Sequence, residues 1–321
     1  MNKKKTALIS TSILGALSIG ALGFVGNFFY NLALNPTVSK DAIFGTPEEA
    51  KSTSGEVVDE NVDWLINKSN FSNEYITSFD NLKLHGYKIL NEIPTNKWVI
   101  SVHGYTSQGL DMSGYARNFY EMGYNILIPD LRAHGKSEGD YIGMGWDDRL
   151  DIIEWINLIL KFDATSEIVL HGVSMGAATV SMTSGEKLPN NVKAIIADCG
   201  YTSVWEQFSH QLDVLYSLPS FPVMNASSVV TKIKAGYTLK EASTLKQVAK
   251  SKTPILFIHG DEDDFVPYSM MDELYNATSS EKEKLTIKGA GHAKASKVNP
   301  ELYWSTINIS VSYTHLRAHE T

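Results

Sequence analysis

The chain has 321 residues, of which 43% are hydrophobic and 20% are charged, and its formal net charge at pH 7 is −8. A chain of this length can bury a large core without covalent cross-links. Its single cysteine, Cys199, excludes an intramolecular disulfide and the cysteine-rich zinc motifs. Nucleic acid is not expected as a partner, because phosphate binding requires clustered Lys and Arg and no basic stripe follows the N-terminus.

Residues 1–35 are typical of a targeting segment. The basic run Lys3–Lys5 precedes an uncharged run, Thr6–Tyr30, that is long enough to span a hydrocarbon core of about 30 Å. Because basic residues stay on the cytoplasmic side, the pattern predicts a single N-terminal anchor in the cell membrane, with the rest of the chain outside the cytoplasm. A cleaved signal peptide, which would give a secreted protein, is the alternative.

The remaining chain divides into three predicted parts. Residues 36–73 are mostly polar and predict a spacer, whereas residues 74–310 predict the main domain. Residues 311–321 have no amphipathic period and resemble the in-frame translation of a transposase sequencing adapter. We therefore expect them to lie outside the fold, which would cut short the helix predicted from Pro300.

Short apolar strands alternate with helices through the main domain. The predicted strands cover residues 75–79, 82–90, 98–102, 125–129, 167–170, 192–197, 254–258 and 284–287. The predicted helices cover residues 62–67, 115–122, 147–160, 174–184, 204–216, 239–248, 270–275 and 300–307. This alternation predicts an α/β fold with a mostly parallel, mixed sheet flanked by helices. Residues 201–252 contain no predicted strand and therefore predict a small helical cap over the strand ends.

The segment Gly172-Val-Ser-Met-Gly176 lies between a predicted strand and a predicted helix. A G-x-S-x-G motif in that context predicts a nucleophile elbow, a strained turn that raises Ser174 above the sheet. Gly172 and Gly176 remove side chains that would collide at such a turn. The helix N-terminus would place the backbone N–H of Met175 and a positive dipole near a developing oxyanion.

A serine hydroxyl needs a base, and an acid must orient that base. His292 lies in a glycine-rich loop after the last predicted strand and is preferred over His210, in the predicted cap, and over His259, at a strand end. The acid should follow the penultimate strand. Four consecutive carboxylates, Asp261–Asp264, compete for that role, and the residues alone leave the choice open.

The motifs from Asn81 to Leu302 resemble α/β-hydrolases of the serine aminopeptidase and monoglyceride-lipase type. The shared pieces are His103-Gly104, Asp130-Leu-Arg-Ala-His-Gly-Lys-Ser137, the serine elbow, the H-G-x-x-D-x-x-V-P pattern of His259–Pro267, and Gly291-His292. The resemblance implies that Asp263 is the acid and that the backbone N–H of Tyr105 is the second oxyanion donor. It also implies that Arg132 and His134 brace their loop.

These features predict a serine hydrolase that cleaves ester, thioester or amide bonds through an acyl-enzyme, with neither a metal nor an organic cofactor. A carboxylesterase or lipase-like enzyme is favoured, because apolar residues in the predicted cap suit an acyl chain. A serine aminopeptidase acting on short peptides is the second hypothesis, and the surplus carboxylates Asp261, Glu262 and Asp264 would then hold the substrate's amino group. A non-catalytic binding protein is the third, although the intact motifs argue against it.

Overall fold

The computed structural model describes residues 20–44 and 59–318. Three helices precede the sheet in these residues: α1, described over residues 20–34, α2 (Asp41–Phe44) and α3 (Glu60–Asn67). The strands are β1 (Ser72–Thr77), β2 (Lys83–Ile89), β3 (Lys97–Val102), β4 (Asn125–Pro129), β5 (Glu167–Val173), β6 (Val192–Asp198), β7 (Ile255–Gly260) and β8 (Lys282–Ile287). The later helices are α4 (Ser113–Glu121), α5 (Asp148–Phe162), α6 (Met175–Thr183), α7 (Val204–Tyr216), α8 (Ser220–Ala235), α9 (Thr244–Val248), α10 (Ser269–Ala277), α11 (Ala295–Val298) and α12 (Pro300–Ala318).

Within the described residues the strands form one sheet in the order β1-β2-β4-β3-β5-β6-β7-β8. The pairs β1–β2 and β2–β4 are antiparallel, and every other pair is parallel. The carboxyl ends of the parallel strands therefore meet at one edge, where ligands bind in open α/β sheets. This architecture confirms the predicted fold class.

Both faces of the sheet are covered, because successive strand residues point to opposite sides. In β3, Trp98 and Ile100 join one apolar cluster, while Val99 joins the other. The first cluster includes buried residues of α5, α6 and α10, and the second includes buried residues of α3, α4 and α12. The two layers fix the strand ends from which the site is built.

Three helices, α7, α8 and α9, fill the segment between β6 and β7, where the sequence predicted a cap without strands. Helix α7 has the predicted bounds, α9 is shorter than predicted, and α8 was missed. The run Ser227–Thr231 in α8 consists of residues with modest helix propensity, and for this reason the sequence pattern did not predict the helix. Met224 and Thr231 are buried against the core, and this packing overrides the weak propensity.

The segment expected to lie outside the fold at the N-terminus is partly in the core. Residues 1–19 lie outside the described residues, but Tyr30 and Leu34 of α1 are buried in the first apolar cluster. Among the described helices, none has the length and apolarity needed to cross a membrane. Membrane anchorage and an extracytoplasmic location therefore stay predictions.

The C-terminal segment also differs from expectation. Helix α12 continues to Ala318, although the predicted helix covered residues 300–307 and residues 311–321 were expected to lie outside the fold. Residues 319–321 lie outside the described residues. Tyr303, Ile307 and Val311 are spaced by four, so they share one face of the helix, and all three are buried. That face joins the second apolar cluster.

Candidate active site

Ser174 occupies a strained turn between β5 and α6. Its backbone dihedrals are φ 57° and ψ −119°, in a region that residues other than glycine rarely adopt. Its N–H donates to the carbonyl oxygen of Asp198 at 2.8 Å. A Cβ on Gly172 would collide with the backbone of Gly176, and a Cβ on Gly176 would collide with the backbone of Val102. The structure thus explains why both flanking positions are glycine.

The predicted base lies between the serine and one of the four candidate acids. His292 Nε2 is 2.8 Å from Ser174 Oγ, and His292 Nδ1 is 2.8 Å from Asp263 Oδ2. Because a carboxylate accepts, Nδ1 carries the proton, which leaves Nε2 as the acceptor for the serine hydroxyl. This arrangement suits the transfer of a proton from Ser174 to His292.

Asp263 is the buried member of the acidic run, and Asp261, Glu262 and Asp264 are exposed. Its other oxygen, Oδ1, accepts from the backbone N–H of Val266 at 2.9 Å and of Phe265 at 3.1 Å. Burial opposes ionisation of Asp263, but hydrogen bonds from His259 and His292 outweigh it and hold the pKa of this carboxyl well below its usual range.

His259 contributes a contact that the sequence analysis missed. Its Nε2 lies 2.9 Å from the carbonyl oxygen of Val266 and 3.1 Å from Asp263 Oδ2. Both oxygens accept, so Nε2 carries the proton and donates to both. The H-G-x-x-D pattern could have indicated this contact, because it places His259 four residues before Asp263.

Asp198 and Cys199 lie behind the serine. Burial raises the pKa of Asp198 to about 6, and Tyr303 donates a hydrogen bond of 3.0 Å to its carboxyl. Cys199 is buried, and its sulfur lies within 4.8 Å of ligand atoms of Asp263 and His292. Burial raises the pKa of the Cys199 thiol, which keeps it in the protonated form that binds metals poorly.

The loop after β3 approaches the serine from the other side. A Cβ on Gly104 would lie 3.4 Å from the Cβ of Ser174. His103 accepts from the N–H of Leu131 through Nε2 at 3.0 Å, and donates through Nδ1 to the carbonyl of Gly104 at 2.8 Å. Burial lowers the pKa of His103 to about 3, so the ring stays neutral in this single tautomer and fixes the loop that carries Tyr105.

Arg132 has the bracing role that the resemblance implied. Its guanidinium is buried and donates two hydrogen bonds of 2.9 Å to Asp151 and one of 2.9 Å to Asp80. These contacts join the loop after β4 to α5 and to the turn between β1 and β2. Arg132 is absent from the linings of the cavities that flank Ser174 in the described structure.

Two cavities that differ in polarity meet at Ser174. The first, here called the apolar pocket, has a volume of about 80 Å³ and lies among α1, α7 and α8. The second, here called the polar cleft, has a volume of about 470 Å³ and is lined by His292 and by polar groups of the α3 and α4 region. Phe265 contacts both, and its ring centroid is 4.9 Å from that of His292.

The apolar pocket combines segments that are far apart in the sequence. Tyr105 lines it, together with Met175 and Tyr201 beside the serine. Helices α7 and α8 contribute the cap residues Phe208, Leu212, Leu215, Tyr216, Met224 and Thr231. The N-terminal segment contributes a set that the sequence analysis did not place at the site, here called the N-terminal wall: Phe29, Tyr30, Leu32, Ala33, Leu34 and Ile43.

The surplus carboxylates do not line either cavity in the described structure. The Asp261 carboxylate instead accepts from the backbone N–H of Gly289 at 2.7 Å, which fixes the loop before His292. Two other acids, Asp59 and Asp111, line the polar cleft, where Lys297 also lies. An acidic patch for a substrate amine would therefore come from these two residues.

The fold and the sequence of this chain are similar to those of known hydrolases. The structure is similar to that of the esterase Pf2001 of Pyrococcus furiosus, with a TM-score of 0.62 and 25% identity over 79% of this chain and 94% of that one. Together with the sheet and its strand-end serine, this similarity defines an α/β-hydrolase enzyme. Residues 112–306 match the prolyl oligopeptidase family, Peptidase_S9, and the chain belongs to that family.

Two bacterial relatives extend the similarity. The protein YqkD of Bacillus subtilis is 31% identical over 225 residues, which cover 70% of this chain and 73% of YqkD. A putative esterase of the same organism, YitV, is 27% identical over 207 residues, which cover 61% of this chain and 80% of YitV. These matches confirm the predicted superfamily, while the narrower subgroup stays a prediction.

Proposed function

We propose that this protein is a carboxylesterase that cleaves acyl esters with Ser174 as nucleophile, His292 as base and Asp263 as the orienting acid. The observation that carries the proposal is the position of Ser174 between the apolar pocket and the polar cleft. The two parts of an ester match the two cavities, because the acyl chain is apolar and the alcohol is polar. The similarity to the esterase Pf2001 and to the putative esterase YitV supports the same reaction type.

The proposed mechanism is acyl transfer in two steps. His292 Nε2 takes the proton of Ser174 as Oγ attacks the ester carbonyl, and Asp263 holds Nδ1–H and stabilises the imidazolium. The backbone N–H groups of Met175 and Tyr105 would bind the oxyanion, since α6 begins at Met175 and leaves that N–H without a helical partner. The imidazolium returns its proton to the leaving alcohol, and water then releases the acid.

Peptide hydrolysis is a second candidate, which Asp59 and Asp111 in the polar cleft favour. Their carboxylates would attract a substrate ammonium group. A panel of 4-nitrophenyl esters that carry either alkanoyl or aminoacyl groups separates the two candidates, because every member has the same leaving group. We expect a higher kcat/KM for the alkanoyl esters, and a preference for the aminoacyl esters would replace the esterase proposal by the peptidase one.

The first test is intact-mass analysis of the full chain after treatment with a fluorophosphonate, beside the Ser174→Ala variant. We expect a single adduct that is absent in the variant, and a kcat for esters that falls by roughly 10³–10⁶ in Ser174→Ala. An adduct that persists in Ser174→Ala, or activity within tenfold of wild type, would overturn the assignment of the nucleophile.

A further inference from the structure

We infer that the N-terminal wall is part of the substrate site and sets the selectivity of the enzyme for acyl-chain length. This inference rests on the proposed esterase function and adds the chain class, a straight medium-length acyl group. Its basis is that α1 contributes apolar side chains to a narrow pocket that contains the nucleophile.

The wall is fixed to the cap by close helix packing. Gly26 of α1 is buried against α8, where a Cβ at position 26 would lie 2.6 Å from the backbone carbonyl of Ala226. The Phe29 ring contacts Tyr216 of α7 edge to face, with centroids 5.5 Å apart. Lys234 of α8 donates to the side chain of Asn27 at 2.8 Å.

The C-terminal end of α1 is fixed beside the oxyanion loop. The hydroxyl of Tyr105 donates to the carbonyl of Ala33 at 2.6 Å, and the N–H of Ile142 donates to the carbonyl of Leu34 at 2.8 Å. Lys40 donates to the carbonyl oxygens of Leu32 at 2.8 Å and of Asn35 at 2.7 Å, a favourable position for a cation at a helix C-terminus. These bonds hold the pocket-lining turn of α1 in place.

The small volume of the pocket makes the wall a selectivity element. A cavity of about 80 Å³ between apolar side chains admits a slender alkyl chain more readily than a branched or polar group. Each methylene that leaves water for such a site raises kcat/KM by about fourfold. An ester whose chain reaches the wall should therefore be favoured over an acetyl ester, which ends close to Ser174.

Two phenylalanines of α1 provide a matched test. Phe29 is half-buried and lines the apolar pocket, whereas Phe24, on the same helix, is 74% exposed and does not line it. We expect Phe29→Ala to lower the ratio of kcat/KM for 4-nitrophenyl octanoate over 4-nitrophenyl acetate by about tenfold, the loss of one or two methylene contacts. Phe24→Ala should leave that ratio unchanged.

Two glycines of the same helix test the packing of the whole wall. A Cβ on Gly26 meets the backbone of Ala226, whereas a Cβ on Gly23 meets nothing within 4 Å. Gly26→Val should displace α1 and lower the octanoate-to-acetate ratio, and Gly23→Val should not. Because the acetate rate is measured in the same samples, a general loss of folded enzyme cancels in the ratio.

The outcomes separate the inference from the function on which it rests. Wild-type enzyme that hydrolyses neither ester would overturn the esterase proposal. Wild-type enzyme that hydrolyses both, with the same ratio in all four variants, would overturn the role of the N-terminal wall and leave the esterase proposal intact. A ratio that falls equally in Phe24→Ala and Phe29→Ala would also overturn it.

Discussion

The strand-end side of Ser174 is built from hydrogen-bonded polar groups, whereas the pocket side is lined mostly by apolar side chains. Each of Ser174, His292 and Asp263 makes at least one hydrogen bond of 2.8 Å, and the serine backbone is strained. The pocket instead draws many apolar side chains from α1, α7 and α8. The strand-end side should therefore lose function abruptly on single substitutions, while the pocket side should change selectivity by degrees.

Among substitutions that leave the nucleophile in place, the largest effect is expected at Asp263. In Asp263→Asn the amide can present an N–H to His292, which favours the wrong tautomer of the ring, and we expect kcat for ester hydrolysis to fall by about 10⁴-fold. Asp264→Asn is the matched control, because Asp264 is exposed and the hydrogen bond to His292 is made by Asp263. Steady-state kinetics on one ester compares them, and equal losses in the two variants would contradict the role given to Asp263.

The low pKa of Asp263 also predicts that the stability of the folded chain depends on pH. The pKa of Asp263 in the folded chain lies below its ordinary value of about 3.9, so the ionised carboxyl adds stability above that value, and the gain is lost as pH falls through the folded pKa. The difference in unfolding free energy between wild type and Asp263→Asn should therefore shrink from about pH 5 to about pH 2. Urea titrations at several pH values measure this difference in unfolding free energy. A difference that stays constant with pH would contradict the stabilising role of the ionised Asp263 carboxyl.

A smaller effect is expected from the elbow glycines. Gly176 and Gly114 both occupy the second position of a helix, α6 and α4. A Cβ on Gly176 collides with the backbone of Val102, whereas a Cβ on Gly114 meets only the Asn61 amide at an ordinary 3.5 Å. Gly176→Ala should lower the unfolding free energy by about 1–3 kcal/mol, as overpacking does, and Gly114→Ala should not. Urea unfolding of both variants checks the contrast, and equal values would mean that the backbone at the elbow yields easily.

The strand-end side could be predicted from the sequence because its signals are local. The glycines around Ser174, the loop of His292 and the acid run each follow a short apolar strand, and chain order alone brings the ends of parallel strands to one edge. The choice of Asp263 among four acids needed the family resemblance. Burial in the folded chain now distinguishes it from its exposed neighbours.

The pocket side could not be predicted in the same way. An uncharged apolar run such as Thr6–Tyr30 suits either a bilayer or a protein core, and the sequence carries no local mark of which one it meets. The contact of Gly26 with Ala226 joins positions 200 residues apart, which no periodicity within α1 reveals. Helix α8 was missed for a related reason, since tertiary packing rather than propensity stabilises it.

The smallest effect is expected from the hydrogen bond between the Tyr105 hydroxyl, in the loop after β3, and the carbonyl of Ala33 in α1. Tyr105→Phe keeps the backbone N–H proposed for the oxyanion hole and removes only the hydroxyl that donates to Ala33. Burial raises the pKa of Tyr105, so this hydroxyl stays a donor at neutral pH. Its loss should lower the local opening free energy of α1 by about 1 kcal/mol, which makes amide exchange in residues 20–34 about fivefold faster. Tyr75→Phe, at a tyrosine that is 46% exposed on β1, should leave that exchange unchanged. Unaltered exchange in Tyr105→Phe would mean that apolar packing alone holds α1 against the cap.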